Sequence, residues 1–217
     1  MRLFLSFIAL FGMALNISAL DIPEIFGNDM ILQRNTQCKI WGWAEANHYV
    51  RIVTGWDNHC YQVKAGSDGA WKVEVKTPEA SYNTYDITFT EYRSDPEKKT
   101  KGNQPIATSV AKDVLIGEVW FCSGQSNMEM PLGGFWNCPV EGANETILES
   151  KKYNRSIRVA TIAKDGKQKP QKKVAGKWEK AEPKNASRFS ACAYYFATTL
   201  TDALDVPVGV INCSWGG

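Results

Sequence analysis

The chain has 217 residues, a length for one large domain or two small ones. Its 25 basic and 23 acidic side chains leave a formal net charge of +2, which argues against a nucleic-acid binder. An apolar fraction of 44% is that of an ordinary folded globule and excludes a solvated, disordered chain.

Residues 1–20, "MRLFLSFIALFGMALNISAL", read as a signal peptide. Arg2 supplies the positive end, Leu3 to Leu15 the apolar stretch, and Ser18 and Ala19 the small residues near a cut. The apolar run is shorter than the roughly 20 residues a membrane span needs. Export to a periplasmic, extracellular or lysosomal space is therefore expected, with no stable membrane insertion after removal. Six cysteines (Cys38, Cys60, Cys122, Cys138, Cys192 and Cys213) suit an oxidising compartment. A Cys38–Cys60 bridge is conceivable, and free buried thiols are the alternative. There is no C-x-x-C, so the spacing is wrong for a zinc knuckle. Sequons begin at Asn144, Asn154, Asn185 and Asn212, the last expected to be too buried for modification.

Residues 21–111 read as all-β. "CKIWGWA" and "VRIVTG" are short, β-branched and aromatic, and cut by glycine. "GSDGAWKVEVKTP" supplies a tight turn and then alternates through Trp71, Val73 and Val75. "YNTYDITFTEY" alternates through Tyr85, Ile87 and Phe89. Strands with one wet face do this, and a small β-sandwich is the expected solution. "RSDPEKKTKGNQP" is a polar break, a hairpin excursion or a linker.

From residue 112 to 217 the pattern changes to α/β. "VLIGEVWF" is nearly continuous and apolar, as in a strand covered on both faces. "IRVATIA" is a second strand, and residues 165–184 form a lysine-rich solvated loop. "SRFSACAYYFATTLTDALD" predicts a helix, capped by Ser187. Its expected buried stripe is Phe189, Cys192, Ala193, Phe196, Leu200 and Leu204. "VGVINCS" is a third strand, ending in the turn "WGG". Three strands and one helix make an incomplete α/β sheet, which points to an amino-terminal fragment.

The chemistry concentrates in "EVWFCSGQSNMEMPLGG". A serine just past the carboxyl end of a buried strand stands where α/β sheets bind ligands. Ser126 is the candidate nucleophile, with Gly124 allowing the tight turn and Gln125 and Asn127 adding polar groups. Ser123 is the competing hydroxyl, expected to end the strand instead. The pattern is not G-x-S-x-G, because Met128 stands two residues after Ser126. A turn serine bonding its own backbone fits the same spacing. "INCSWGG" is a second polar strand end. If the two strands are neighbours, Gly216 or Gly217 offers a second oxyanion N–H. Trp215 there is either a sugar platform or a core residue. The two histidines, His48 and His59, fall in the β-rich half, so the serine's base is expected outside this segment.

"VWFCSGQSNMEMPL" closely resembles the nucleophile block of the sialate O-acetylesterase family, a branch of the SGNH hydrolases. "SACAYYFATTL", "VPVGVINCSWGG", "IFGNDMILQRN" and "IWGWA" are also similar to that family. The resemblance implies a flavodoxin-like SGNH sheet, incomplete here and preceded by an all-β sandwich-like domain. It implies an exported esterase that removes O-acetyl groups from sialic acid or other acetylated sugars without metal or organic cofactor. Ser126 matches the acyl-carrying serine, and Gly216 matches the oxyanion glycine. A further oxyanion residue and a D-x-x-H block would follow Gly217. The rival functions are a non-catalytic secreted carbohydrate-binding module, and a structural secreted domain in which Ser126 is buried.

Overall fold

The computed structural model describes residues 20–98 and 103–217. The expected signal peptide lies outside them but for Leu20. The described residues form ten strands and four α-helices. The strands are β1 (Ile31–Gln33), β2 (Gln37–Trp43), β3 (Tyr49–Thr54), β4 (Cys60–Lys64), β5 (Ala70–Lys76), β6 (Ser81–Tyr92), β7 (Pro105–Gly124), β8 (Ile157–Thr161), β9 (Trp178–Lys180) and β10 (Val208–Ser214). The helices are α1 (Ser126–Glu129), α2 (Ala143–Glu149), α3 (Pro183–Ala186) and α4 (Ala191–Leu204). None of these helices is long and apolar enough to cross a membrane.

Eight strands share one sheet in the order β4-β3-β6-β7-β10-β8-β9, with β1 also pairing β7. The chain is therefore mixed α/β with a large central sheet and few helices. The β-rich half is not a separate sheet, because β7 carries its hydrogen bonding straight into the α/β half. The first part of β7 pairs antiparallel with β6, from Tyr92↔Pro105 to Ser81↔Ile116. The polar break after Tyr92 thus connects a hairpin. The last part of β7 runs parallel to β10, from Val208↔Glu118 to Ser214↔Gly124. Within the first part, at the register shift between Ile87↔Ala111 and Tyr85↔Val114, Asp113 adopts φ 58°, a left-handed conformation that an aspartate tolerates better than most side chains.

The two-stranded pair β2-β5 faces this sheet. Ile40, Trp71 and Val75 from the pair close on Val50, Ile52, Ile87 and Phe89 from β3 and β6. The alternation along β6 falls as the sequence predicts, with Ile87 and Phe89 fully buried. Trp178 of β9 joins this core from the other half, its indole N–H donating to the Ile25 carbonyl at 2.8 Å. A second core lies under α4, built from Ile157, Val159, Val208, Val210 and the helix residues Ala193, Tyr194 and Ala197.

Several expectations need correction. The segment 114–121 is covered on both faces only as far as Gly117. Trp120 and Phe121 are exposed, where β6 has stopped pairing at Ile116 and β1 at Gly117 and β7 has only β10 beside it. The buried stripe of α4 is Ala193, Tyr194, Ala197 and Thr201, not Cys192, Phe196 and Leu204, which face outward. Small residues bring the helix axis close to the sheet, and Phe196 packs edge-on against Trp120 at 5.2 Å instead. Ser190, not Ser187, caps the helix, accepting from the Ala193 N–H at 3.2 Å. All six cysteines are free, so Cys38 and Cys60 form no bridge.

Candidate active site

β7 and β10 are parallel neighbours that end level with each other. Their two polar turns therefore open at the same end of the sheet. The Trp215 N–H extends the ladder by one step, donating to the Gly124 carbonyl at 3.0 Å. Beyond Gly124 the chain turns into α1, a single turn that stops before Pro131. Met130 N–H closes it on the Ser126 carbonyl at 2.9 Å. Gly124 is needed for close approach, since a Cβ there would stand 3.0 Å from the Met128 Cβ.

Ser126 opens α1 and is exposed to solvent. The turn after β10 closes directly on it. A Cβ on Gly216 would lie 3.1 Å from Ser126 Oγ and 3.2 Å from Ser126 Cα. Both are tighter than ordinary van der Waals contact, so a glycine eases that approach. The Gly216 N–H, expected to face an oxyanion, is donated to the Glu129 carboxylate. Glu129 is also ion-paired with Lys164 of the segment after β8.

The other candidates surround this centre. Gln125 and Asn127 are exposed on either side of Ser126. The Asn127 carbonyl accepts from the Cys192 thiol of α4 at 3.3 Å, which ties α1 to the helix beneath. The Met128 sulfur accepts from the Ser190 hydroxyl at 3.4 Å. Trp215 is 55% exposed, so the core reading of that residue fails. It borders a cleft of about 650 Å³ whose walls include Ser123, Gly124, Ser214, Lys164 and Val174. Ser123 thus faces the cleft as well as continuing the strand, contrary to expectation. Asn212, the last of the four sequon positions and the one expected to be inaccessible, is buried.

Neither histidine serves this end of the sheet. His48 Nδ1 is 2.7 Å from Glu91 of β6, and His59 packs edge-on against Tyr61 of β4. Burial pushes the thiol of nearby Cys122 above the ordinary range, which disfavours the nucleophilic thiolate. Among the described residues, no group of three His, Cys, Asp or Glu side chains is arranged to hold a metal ion. Glu129 and Lys164 are the participants that the sequence did not single out. The available signal was the three-residue spacing of Ser126 and Glu129, which puts them on one face of a helical turn.

No protein-family model matches the chain. Sialate O-acetylesterase of Homo sapiens is 27% identical over 200 residues, covering 88% of this chain and 36% of that protein. The Mus musculus enzyme is 26% identical over the same length, covering 88% and 35%. Among solved structures, a carbohydrate acetylesterase from Xanthomonas citri superposes with a TM-score of 0.76 at 27% identity. It covers 91% of this chain and 40% of that one. The chain thus spans little more than a third of the curated relatives it matches. At family level, sequence and fold together show a likeness to the sialate O-acetylesterases that extends over 88% of the chain.

Proposed function

We propose that this chain carries the nucleophile half of an exported carbohydrate acetylesterase. The observation that supports it is the exposed Ser126 hydroxyl at the sheet's ligand end, closed on by the Gly216 turn, in a chain similar to acetylesterases. Ser126 Oγ attacks the carbonyl carbon of a sugar O-acetyl group as a base takes its proton. The tetrahedral oxyanion takes a hydrogen bond from the Ser126 N–H, while Gly216 keeps the wall beside it free of side chain. The C–O bond to the sugar then breaks, the alcohol leaves with a proton, and water releases acetate from the acyl-serine. The base comes from the D-x-x-H block that the family resemblance implies. No metal or organic cofactor enters this scheme.

The substrate is an acetylated glycan, with sialic acid as the candidate the relatives' name suggests. Exposed Trp215 offers its ring to a sugar face along the cleft, and exposed Gln125 and Asn127 flank Ser126 in the chain as further polar candidates. The division into a β-rich part (21–111) and an esterase part (112–217) belongs to the same proposal, its junction marked by the left-handed Asp113.

Ser126→Ala in the full-length protein tests the scheme. Acetate release from acetylated sialic acid and from acetylated xylan should fall by about a thousandfold or more, with the thermal melting curve unchanged. Wild-type acetate release by the variant would remove Ser126 from the chemistry.

A further inference from the structure

Three segments distant in sequence meet at one carboxylate. Glu129 lies on α1 one turn beyond Ser126, so the two share a face of the helix. One carboxylate oxygen accepts the Gly216 N–H from the turn after β10. The other is paired with Lys164 Nζ from the segment after β8. Only 19% of the Glu129 side chain is exposed, and a carboxylate that far out of water needs such partners.

The backbone ladder holds Trp215 through Gly124, one residue short of Gly216. A Cβ on Gly216 would stand 2.7 Å from Glu129 Oε2 as well as 3.1 Å from Ser126 Oγ. The turn therefore rests on both side chains of the same α1 face.

We propose that Glu129 is a positioning residue that clamps the Trp215–Gly216 turn against Ser126, with Lys164 as its counter-ion. The proposal rests on the esterase reading of Ser126. Glu129 is given no role as proton acceptor, because one of its oxygens accepts the Gly216 N–H and the other is paired with Lys164. Its work is to fix the distance between the nucleophile and the facing backbone. A shift of about 1 Å in such a distance can cost a hundredfold in rate. Lys164 neutralises the carboxylate, which would otherwise put a bare negative charge beside a developing oxyanion.

The test compares wild type, Glu129→Ala, Glu129→Gln and Glu129→Asp in the full-length protein. Hydrogen exchange at the Gly216 amide is followed by NMR after ¹⁵N-glycine labelling. Hydrolysis of 4-nitrophenyl acetate gives kcat and KM. Glu129→Ala should speed Gly216 exchange by about tenfold. It should lower kcat by about tenfold to a hundredfold with KM nearly unchanged. Glu129→Gln, whose side-chain carbonyl still accepts the N–H, should restore protection and most of kcat. Glu129→Asp keeps the charge but is one methylene short and should behave like the alanine variant, which keeps the question answerable if that variant does not fold. Unchanged Gly216 exchange in both Glu129→Ala and Glu129→Asp overturns the clamp. Faster exchange with undiminished kcat overturns the positioning role. Undiminished hydrolysis by Ser126→Ala would instead sink the esterase reading, and the amide result would still report the contact.

Discussion

Ser126 is presented by two glycines that act differently. Gly124 lets Met128 pack against the strand end, and Gly216 lets a second backbone approach the hydroxyl. In Gly216→Ala the new methyl would meet both Ser126 Oγ and Glu129 Oε2 inside normal contact distance, so the turn or these side chains must shift. A drop in kcat of about a hundredfold is expected, with folding retained, measured by steady-state acetate release and circular dichroism. The serine and both glycines were singled out in the sequence because two polar turns follow two apolar strands, a spacing that a turn serine bonding its own backbone also fits. Glu129 was not. It lies 35 residues from Lys164 and 87 from the Gly216 N–H, and no local pattern announces partners at such separations.

At the level of elements, the strands with period-two alternation or continuous apolar character were readable, while β1, β4 and β9 were not. β1 and β9 have three residues each, too few to show a period, and β4 carries no buried side chain. For α4 the sequence favoured large apolar residues as the buried face. The fold buries alanines instead, since a close helix–sheet contact rewards small side chains more than large ones. The missed cap matters for the site. Ser190 is buried, accepts from the Ala193 N–H, and donates to the Met128 sulfur of α1. One hydroxyl thus anchors the start of α4 and the short α1 turn that carries Ser126. Ser190→Ala should destabilise the protein by about 1 kcal/mol, toward 2 if the Met128 contact contributes, read from urea denaturation.

Across the whole molecule, charge binds the halves as well as apolar contact does. Arg158 of β8 is 2% exposed and bonds Asp29 at 2.9 Å and Asp113 at 3.2 Å. Lys180 of β9 pairs with both carboxylates. Burial pushes the Asp113 carboxyl up, but the bonds from Lys180 and Arg158 and their charges outweigh it and hold it below the usual range. A carboxylate depressed in the folded state contributes stability above its unfolded value, near pH 4, and loses it as pH falls through the lower folded value. Stability should therefore decline below about pH 4, and Asp113→Asn should flatten that decline while costing stability at neutral pH. Chemical denaturation between about pH 2.5 and 7 checks both. Arg158 could not be read from the sequence as a buried residue, because a lone arginine in "IRVATIA" looks like the wet position of a strand.

β7 is a beam common to both cores, not a tether between them. Its first half is a wall of the β-rich core, and its last residues are the floor on which Ser126 stands. The strand end beside Ser126 therefore shares its backbone with the hairpin at the far end of that beam. A boundary at residues 111–112 falls inside this strand, so the two parts would share it as a common wall.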